Sequence, residues 1–168
     1  ASHDAATGAR HTGWRAPFWS AGFRPFFVLG AIQGACALLV WFASHAGMPV
    51  PGIPGDPLWH GHEMVFGFFA AIISGLLLTA LPSWAGVPEQ RGGTLAWLVA
   101  AWLGGRLAMV LVPVVSPALV ALVDCGELLL LAAVLAPGLI RARSRKFCLL
   151  LPVLAALAAA NVAFHAAL

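Results

Sequence analysis

His60-Gly-His-Glu-Met-Val-Phe-Gly-Phe-Phe-Ala-Ala-Ile-Ile-Ser-Gly-Leu-Leu-Leu-Thr-Ala-Leu81 carries a single formal charge, Glu63, in a run long enough to cross the hydrocarbon core of a bilayer. Helix breakers flank it. Met48-Pro-Val-Pro-Gly-Ile-Pro-Gly-Asp-Pro57 precedes it, and Pro82 to Gly93 follows with two Pro, three Gly, Glu89 and Arg91. Four more runs of the same kind are legible as Phe26–Ala46, Thr94–Val112, Ala118–Ile140 and Cys148–Ala167. Pro113 and Pro117 bracket a short turn between two of them, and the basic cluster Arg141-Ala-Arg143-Ser-Arg145-Lys146 separates the last pair. The pattern predicts an all-α, polytopic membrane helix bundle of about five transmembrane helices.

Composition leads to the same class. Among 168 residues, 61% are hydrophobic and 9% charged, and the mean hydropathy is +0.93. A soluble domain has about 25% charged residues, so this chain lacks the polar surface for a cytosolic fold. Disorder and a disulfide scaffold are excluded by the same numbers. The net charge is +3 and the pI about 9.2, but one short basic cluster is not a phosphate-binding stripe, so no nucleic-acid partner is expected. Cys36, Cys125 and Cys148 stand apart in apolar sequence with no C-x-x-C-H signature, which excludes a covalently attached haem and leaves a non-covalent b-type haem open.

The chain divides into residues 1–25, a polar tail and interfacial segment, and residues 26–168, a single transmembrane helical domain. Ala1 to Gly13 has no apolar run and is not expected to be a cleavable signal peptide. Trp14 to Arg24 mixes aromatic residues with Arg15 and Arg24, as a segment lying along the headgroups would. Orientation follows from Lys and Arg. The N-terminal segment holds Arg10, Arg15 and Arg24, the second loop Arg91, and the fourth loop four more, against none in the first and third loops. The N-terminus is therefore expected in the cytoplasm. Trp41 and Trp59 then fall near the outer boundary, and Trp14, Trp19, Trp84 and Trp97 near the inner one. Gly30-xxx-Gly34 and Gly67-xxx-Ala71-xxx-Gly75 are read as packing devices that let helices approach closely.

This topology gathers four of the six histidines at the outer leaflet: His45 ends the first span, His60 and His62 open the second, and His165 closes the fifth. Neutral imidazole is the commonest metal ligand and a standard axial ligand of haem iron. Residues two apart on a helix point about 200° away from each other. His60 and His62 therefore serve two separate sites, or pinch one metal at a frayed helix start. His60 and Glu63 share a face, and Met64 is a weaker candidate for Cu(I). Deeper in the bilayer, Arg106 and Asp124 are equidistant from Val115 and so lie at one depth of an antiparallel hairpin, with Glu127 on the face of Asp124. Arg106 is expected to pair with Asp124, Glu127 or both. The cluster reads either as charge compensation or as a proton path or haem-propionate clamp. Gln33 and Asn161 are assigned to interhelical hydrogen bonds.

Five motifs together resemble the NnrS family: Phe23-Arg-Pro-Phe-Phe27, Trp59-His-Gly-His-Glu-Met-Val-Phe-Gly67, Leu78-Thr-Ala-Leu-Pro-Ser-Trp-Ala-Gly86, Gly105-Arg106 and Asn161-Val-Ala-Phe-His165. The resemblance implies a bacterial inner (cytoplasmic) membrane protein that contains haem b and copper and is linked to the nitric oxide response. It implies His60, His62 and His165 as cofactor residues, without assigning a ligand to a cofactor. With the topology, the cofactor set widens to His45 and Arg106, and the metal set to His60, His62, Glu63 and His165. Glu63 would accept the second ring N–H of a ligating histidine. Family members usually continue through more spans than the five read here. If those spans supply ligands, the cofactors would be absent here or depend on other membrane subunits. The alternative reading is a cofactor-poor accessory subunit of a larger respiratory or photosynthetic complex.

Overall fold

The computed structural model describes residues 17–141 and 145–167. It contains five helices long and apolar enough to cross a membrane: α1 (Phe23–His45), α2 (Pro57–Ala85), α3 (Gly93–Val110), α4 (Pro117–Arg141) and α5 (Lys146–Ala167). Arg10, Trp14 and Arg15 of the polar tail lie outside the described residues, as does Arg143 of the basic cluster.

The start of α2 has a local cause. Asp56 caps it, its carboxylate accepting the Trp59 N–H at 2.7 Å, and Pro57 occupies the first turn, where no amide hydrogen is needed. Its end departs from the sequence reading. Pro82 does not break the helix, which runs on to Ala85 and stops at Gly86 in the left-handed conformation (φ 65°). Pro82 forfeits only one backbone donor, and near a helix end that loss is small; the turn itself needs a residue tolerant of positive φ. From Glu63 to Phe69 the backbone of α2 is π-helical rather than α-helical. Such segments are rare and concentrate at functional sites.

α1 lies on α2 through small residues. A Cβ on Gly30 would come within 3.0 Å of Ala71, and one on Gly75 within 2.8 Å of the Phe27 ring. The Phe23 N–H at the start of α1 donates to Thr79 Oγ1 of α2 at 3.0 Å. These glycines pack as the sequence predicts, and Gly67 has a further role described below. α3 and α4 form the expected hairpin, and α5 packs along α4. Arg24, expected in a headgroup segment, falls in the first turn of α1, where it donates to the Pro17 carbonyl at 2.7 Å. Trp59, expected as a boundary anchor, is buried at 7% exposure in a cluster with Ala37, Met109 and Val120. Trp84 and Trp97 are exposed, as rings at a membrane boundary would be.

Toward the end carrying the second and fourth loops, the core is apolar: Phe26, Leu78, Leu81, Leu95, Leu98, Leu131 and Leu139 are all fully buried. Toward the opposite end the buried side chains include His62, Glu63, Arg106, Asp124 and Asn161, beside the smaller apolar cluster around Trp59.

Candidate functional site

Asp124 stands at the centre of that polar end, buried on α4. Its Oδ1 pairs with Arg106 Nη2 of α3. Its Oδ2 is approached by three nitrogens: His62 Nε2 of α2 at 3.1 Å, Asn161 Nδ2 of α5 at 2.9 Å and His165 Nε2 of α5 at 2.9 Å. Arg106 also donates through Nη1 to Glu63 Oε1 at 2.9 Å, and Glu63 Oε2 accepts from Gln33 Nε2 of α1 at 2.5 Å. All five helices therefore join one connected network.

Close backbone approach makes room for it. A Cβ on Gly105 would lie 2.9 Å from Asp124 Oδ1, so α3 can press against α4 only where the side chain is absent. At Gly67, in the π-helical stretch, a Cβ would meet Glu63 Oε2 at 3.1 Å and Arg106 Nη1 at 3.2 Å. It leaves space for the ion pair and also for α1, since that Cβ would lie 3.3 Å from Gln33 Cγ. Trp102 of α3 donates its indole N–H to the Gly67 carbonyl at 2.9 Å, satisfying backbone polarity that the π register shifts. Trp102 carried no signal in the sequence beyond being a tryptophan within a span.

The matched depth of Arg106 and Asp124 is realised, but the second partner is not the expected one. Arg106 pairs with Glu63, whereas Glu127 accepts from Ser74 Oγ at 2.7 Å. The reason is rotational. Glu127 shares roughly the azimuth of Asp124, yet α2 inserts Ser74 against it, while Glu63 is delivered beside the guanidinium. Both terminal nitrogens of Arg106 are thus engaged by protein carboxylates.

The four outer histidines separate into two pairs. His62 and His165 meet at Asp124, their ring centroids 5.5 Å apart in an edge-to-face arrangement. His62 is 2% exposed, walled by Phe66 and Phe164. His60 instead stacks on Trp41 of α1 with centroids 4.7 Å apart, and His45 lies against the same indole at 4.6 Å, its Nδ1 3.0 Å from the Trp41 carbonyl. Of the two arrangements left open for His60 and His62, the structure has the separate one. His60 and Glu63, expected on one face, both meet α1, His60 through Trp41 and Glu63 through Gln33. His62 Nδ1 is 3.4 Å from Glu63 Oε1, a loose contact between neighbours in sequence. Met64 is half-buried against the cluster of Trp59 and Val120.

Chemically, His62, Asp124 and His165 each direct one ligand atom to a common point, all within 4.8 Å of one another. Two carboxylates, Asp124 and Glu63, face one guanidinium, which leaves room for one further positive charge. Two imidazoles and a carboxylate suit a divalent transition metal. Glu63 Oε1 stands behind the His62 ring, 3.4 Å from Nδ1, and Asn161 Oδ1 lies 3.0 Å from His62 Nε2 on the Asp124 side.

A family model described as NnrS protein matches residues 17–168. No curated protein matches, and no solved structure does.

Proposed function

The chain belongs to the NnrS family, and from that premise we propose a multi-pass membrane metalloprotein whose metal centre is held by His62, Asp124 and His165 near the periplasmic face. The convergence of those three ligand atoms within 4.8 Å is the observation that carries this reading. Copper fits the donor set, since imidazole suits it and the site already holds a surplus of negative charge. Haem fits less well. A porphyrin ligated by both histidines would have to pass between rings standing 5.5 Å apart, edge to face, with Asp124 bridging them.

Copper bound here would supply one-electron chemistry and a coordination position for a small uncharged ligand, nitric oxide being the one the family resemblance suggests. The rest of the work falls to the protein. Asp124 Oδ2 gathers His62 Nε2 and His165 Nε2 at one point, which copper would share, Arg106 holds Asp124 in place from the opposite oxygen, and Glu63 locks Arg106. Phe66 and Phe164 keep water from His62. His60 and His45, gathered on Trp41, stand outside this centre. The location proposed is the bacterial inner membrane, where a periplasmic-facing site of this kind would meet diffusible nitric oxide.

The test is the copper and haem content of detergent-purified, folded protein. His62→Ala and His165→Ala are each expected to lose most of the bound copper, with His60→Ala retaining it. Full retention in both of the first two variants would reject the centre. A colourless, copper-free parent protein that copurifies with a larger complex would favour the accessory-subunit reading.

A further inference from the structure

The second and fourth loops carry Arg91, Arg141, Arg143, Arg145 and Lys146 against Glu89 alone, and no Asp or Glu occurs after Glu127. Arg91 pairs with Glu89. Arg141, exposed in the last turn of α4, has no ion-pair partner among the described residues, and exposed Lys146 has none either. Arg141 does more than reach into water. It lines a cleft of about 120 Å³ where the end of α4 meets the loop between α2 and α3. Val87, Val134, Leu135 and Pro137 form the apolar wall, and Gln90 joins Arg141 as the second polar side chain. Gly138 lets the two segments meet, since a Cβ there would lie 3.1 Å from the Val87 side chain.

Size and chemistry together select the occupant. Small-molecule sites span about 300–1,000 Å³, whereas one water takes about 30 Å³, so this cleft holds a group of a few heavy atoms. No carboxylate lines it. Its donors are a free guanidinium and the Gln90 amide, which gives one hydrogen to the Pro88 carbonyl at 3.2 Å and keeps the other. A planar guanidinium matches two oxygens of a phosphate. The end of α4 offers carbonyls rather than amide hydrogens, so side chains must do the binding. Depth supplies the rest of the molecule. At the same end, exposed Trp84 stacks on Phe147 with centroids 6.0 Å apart, as aromatic rings do at a membrane boundary. Ile140, next to Arg141 and 64% exposed, presents apolar surface on which acyl chains can lie.

We propose that this cleft binds the headgroup phosphate of an anionic phospholipid, held by Arg141 and Gln90, with the acyl chains running along α4. Lys146 and its neighbours in the fourth loop add positive potential that favours a net negative headgroup over a zwitterionic one. A choline ammonium would meet cations with no carboxylate between them. The site lies at the opposite end of the bundle from the His62–Asp124–His165 point and does not rest on a metal being there.

The full chain in neutral maltoside micelles is titrated with dioleoylphosphatidylglycerol or dioleoylphosphatidylcholine, and bound lipid is counted by native mass spectrometry. One phosphatidylglycerol is expected to bind saturably and more tightly than phosphatidylcholine. Arg141→Gln should weaken phosphatidylglycerol by about fivefold, the effect of one basic side chain at an anionic surface, and leave phosphatidylcholine unchanged. Arg91→Gln removes a cation that Glu89 already engages and should change neither. Equal binding of the two lipids by the parent chain would overturn the proposal, as would unchanged phosphatidylglycerol affinity in folded Arg141→Gln. An equal loss in Arg91→Gln would reduce the effect to diffuse charge, and displacement by millimolar inorganic phosphate would mark a free-anion site; either result overturns it. The comparison in the parent chain stands even if a variant fails to fold.

Discussion

Toward one end of the bundle the helices meet through Phe26, Leu78, Leu81, Leu95 and Leu139, and toward the other through Arg106, Asp124, Glu63, His62, Asn161 and His165, beside a smaller apolar cluster around Trp59. The apolar end has little solvent drive behind it, because lipid is as apolar as leucine; its contacts are fixed by how closely backbones can approach, as at Gly75 and Gly30. The polar end works by penalty. Each of its groups would be costly in hydrocarbon if left alone, so the network is satisfied jointly or not at all. Shape governs one half of the molecule and hydrogen-bond accounting the other. The candidate site lies in the half where a misplaced side chain costs most.

Which side of the membrane each half faces is an all-or-none matter. With eight of nine Lys and Arg residues on the N-terminal segment and on the second and fourth loops, the polar end is predicted to face outward. Pro54→Cys should react with an impermeant maleimide on intact cells and Ser144→Cys should not. The reverse pattern would invert the comparison and move the proposed metal centre to the cytoplasmic face.

Arg106→Leu tests the penalty directly. It leaves Asp124 and Glu63 as buried carboxylates without their guanidinium, and removal of one member of such a pair costs about 3–5 kcal/mol. Unfolding in graded denaturing detergent should show that loss. Stability equal to the parent would mean that the polar end has no structural role.

Gly75→Val is the matching change at the apolar end. The added carbons would press on the Phe27 ring, and overpacking of this kind costs typically 1–3 kcal/mol. The expected order is therefore Arg106→Leu worse than Gly75→Val under the same detergent titration. The opposite order would show that close packing, rather than polar satisfaction, dominates throughout.

Much of this molecule is legible along the chain. The five spans are found within a few residues, because span length and apolar composition are properties of contiguous sequence. The pairing of Arg106 with Asp124 is also readable, since a tight antiparallel turn places residues equidistant from it at equal depth. The glycine contacts between α1 and α2 follow from small-residue spacing. Three things were not readable. Glu63 as the second partner of Arg106, the indole of Trp102 on the Gly67 carbonyl, and the true stop of α2 at Gly86 depend on the π-helical stretch or on backbone dihedrals that composition does not encode.

Sequence by itself determined which residues enter the membrane, at what depth, and that His60 and His62 cannot face one point on a regular helix. Only the tertiary structure decided which of them meets His165. Depth is fixed by counting residues from a turn, but the azimuth of each helix is fixed by what it packs against. Gly105 against Asp124 and Gly30 against Ala71 set those rotations, and one π segment resets the face presented beyond it. That rotation turns His62 toward Asp124 and His165 on α5, and leaves His60 stacked on Trp41 of α1.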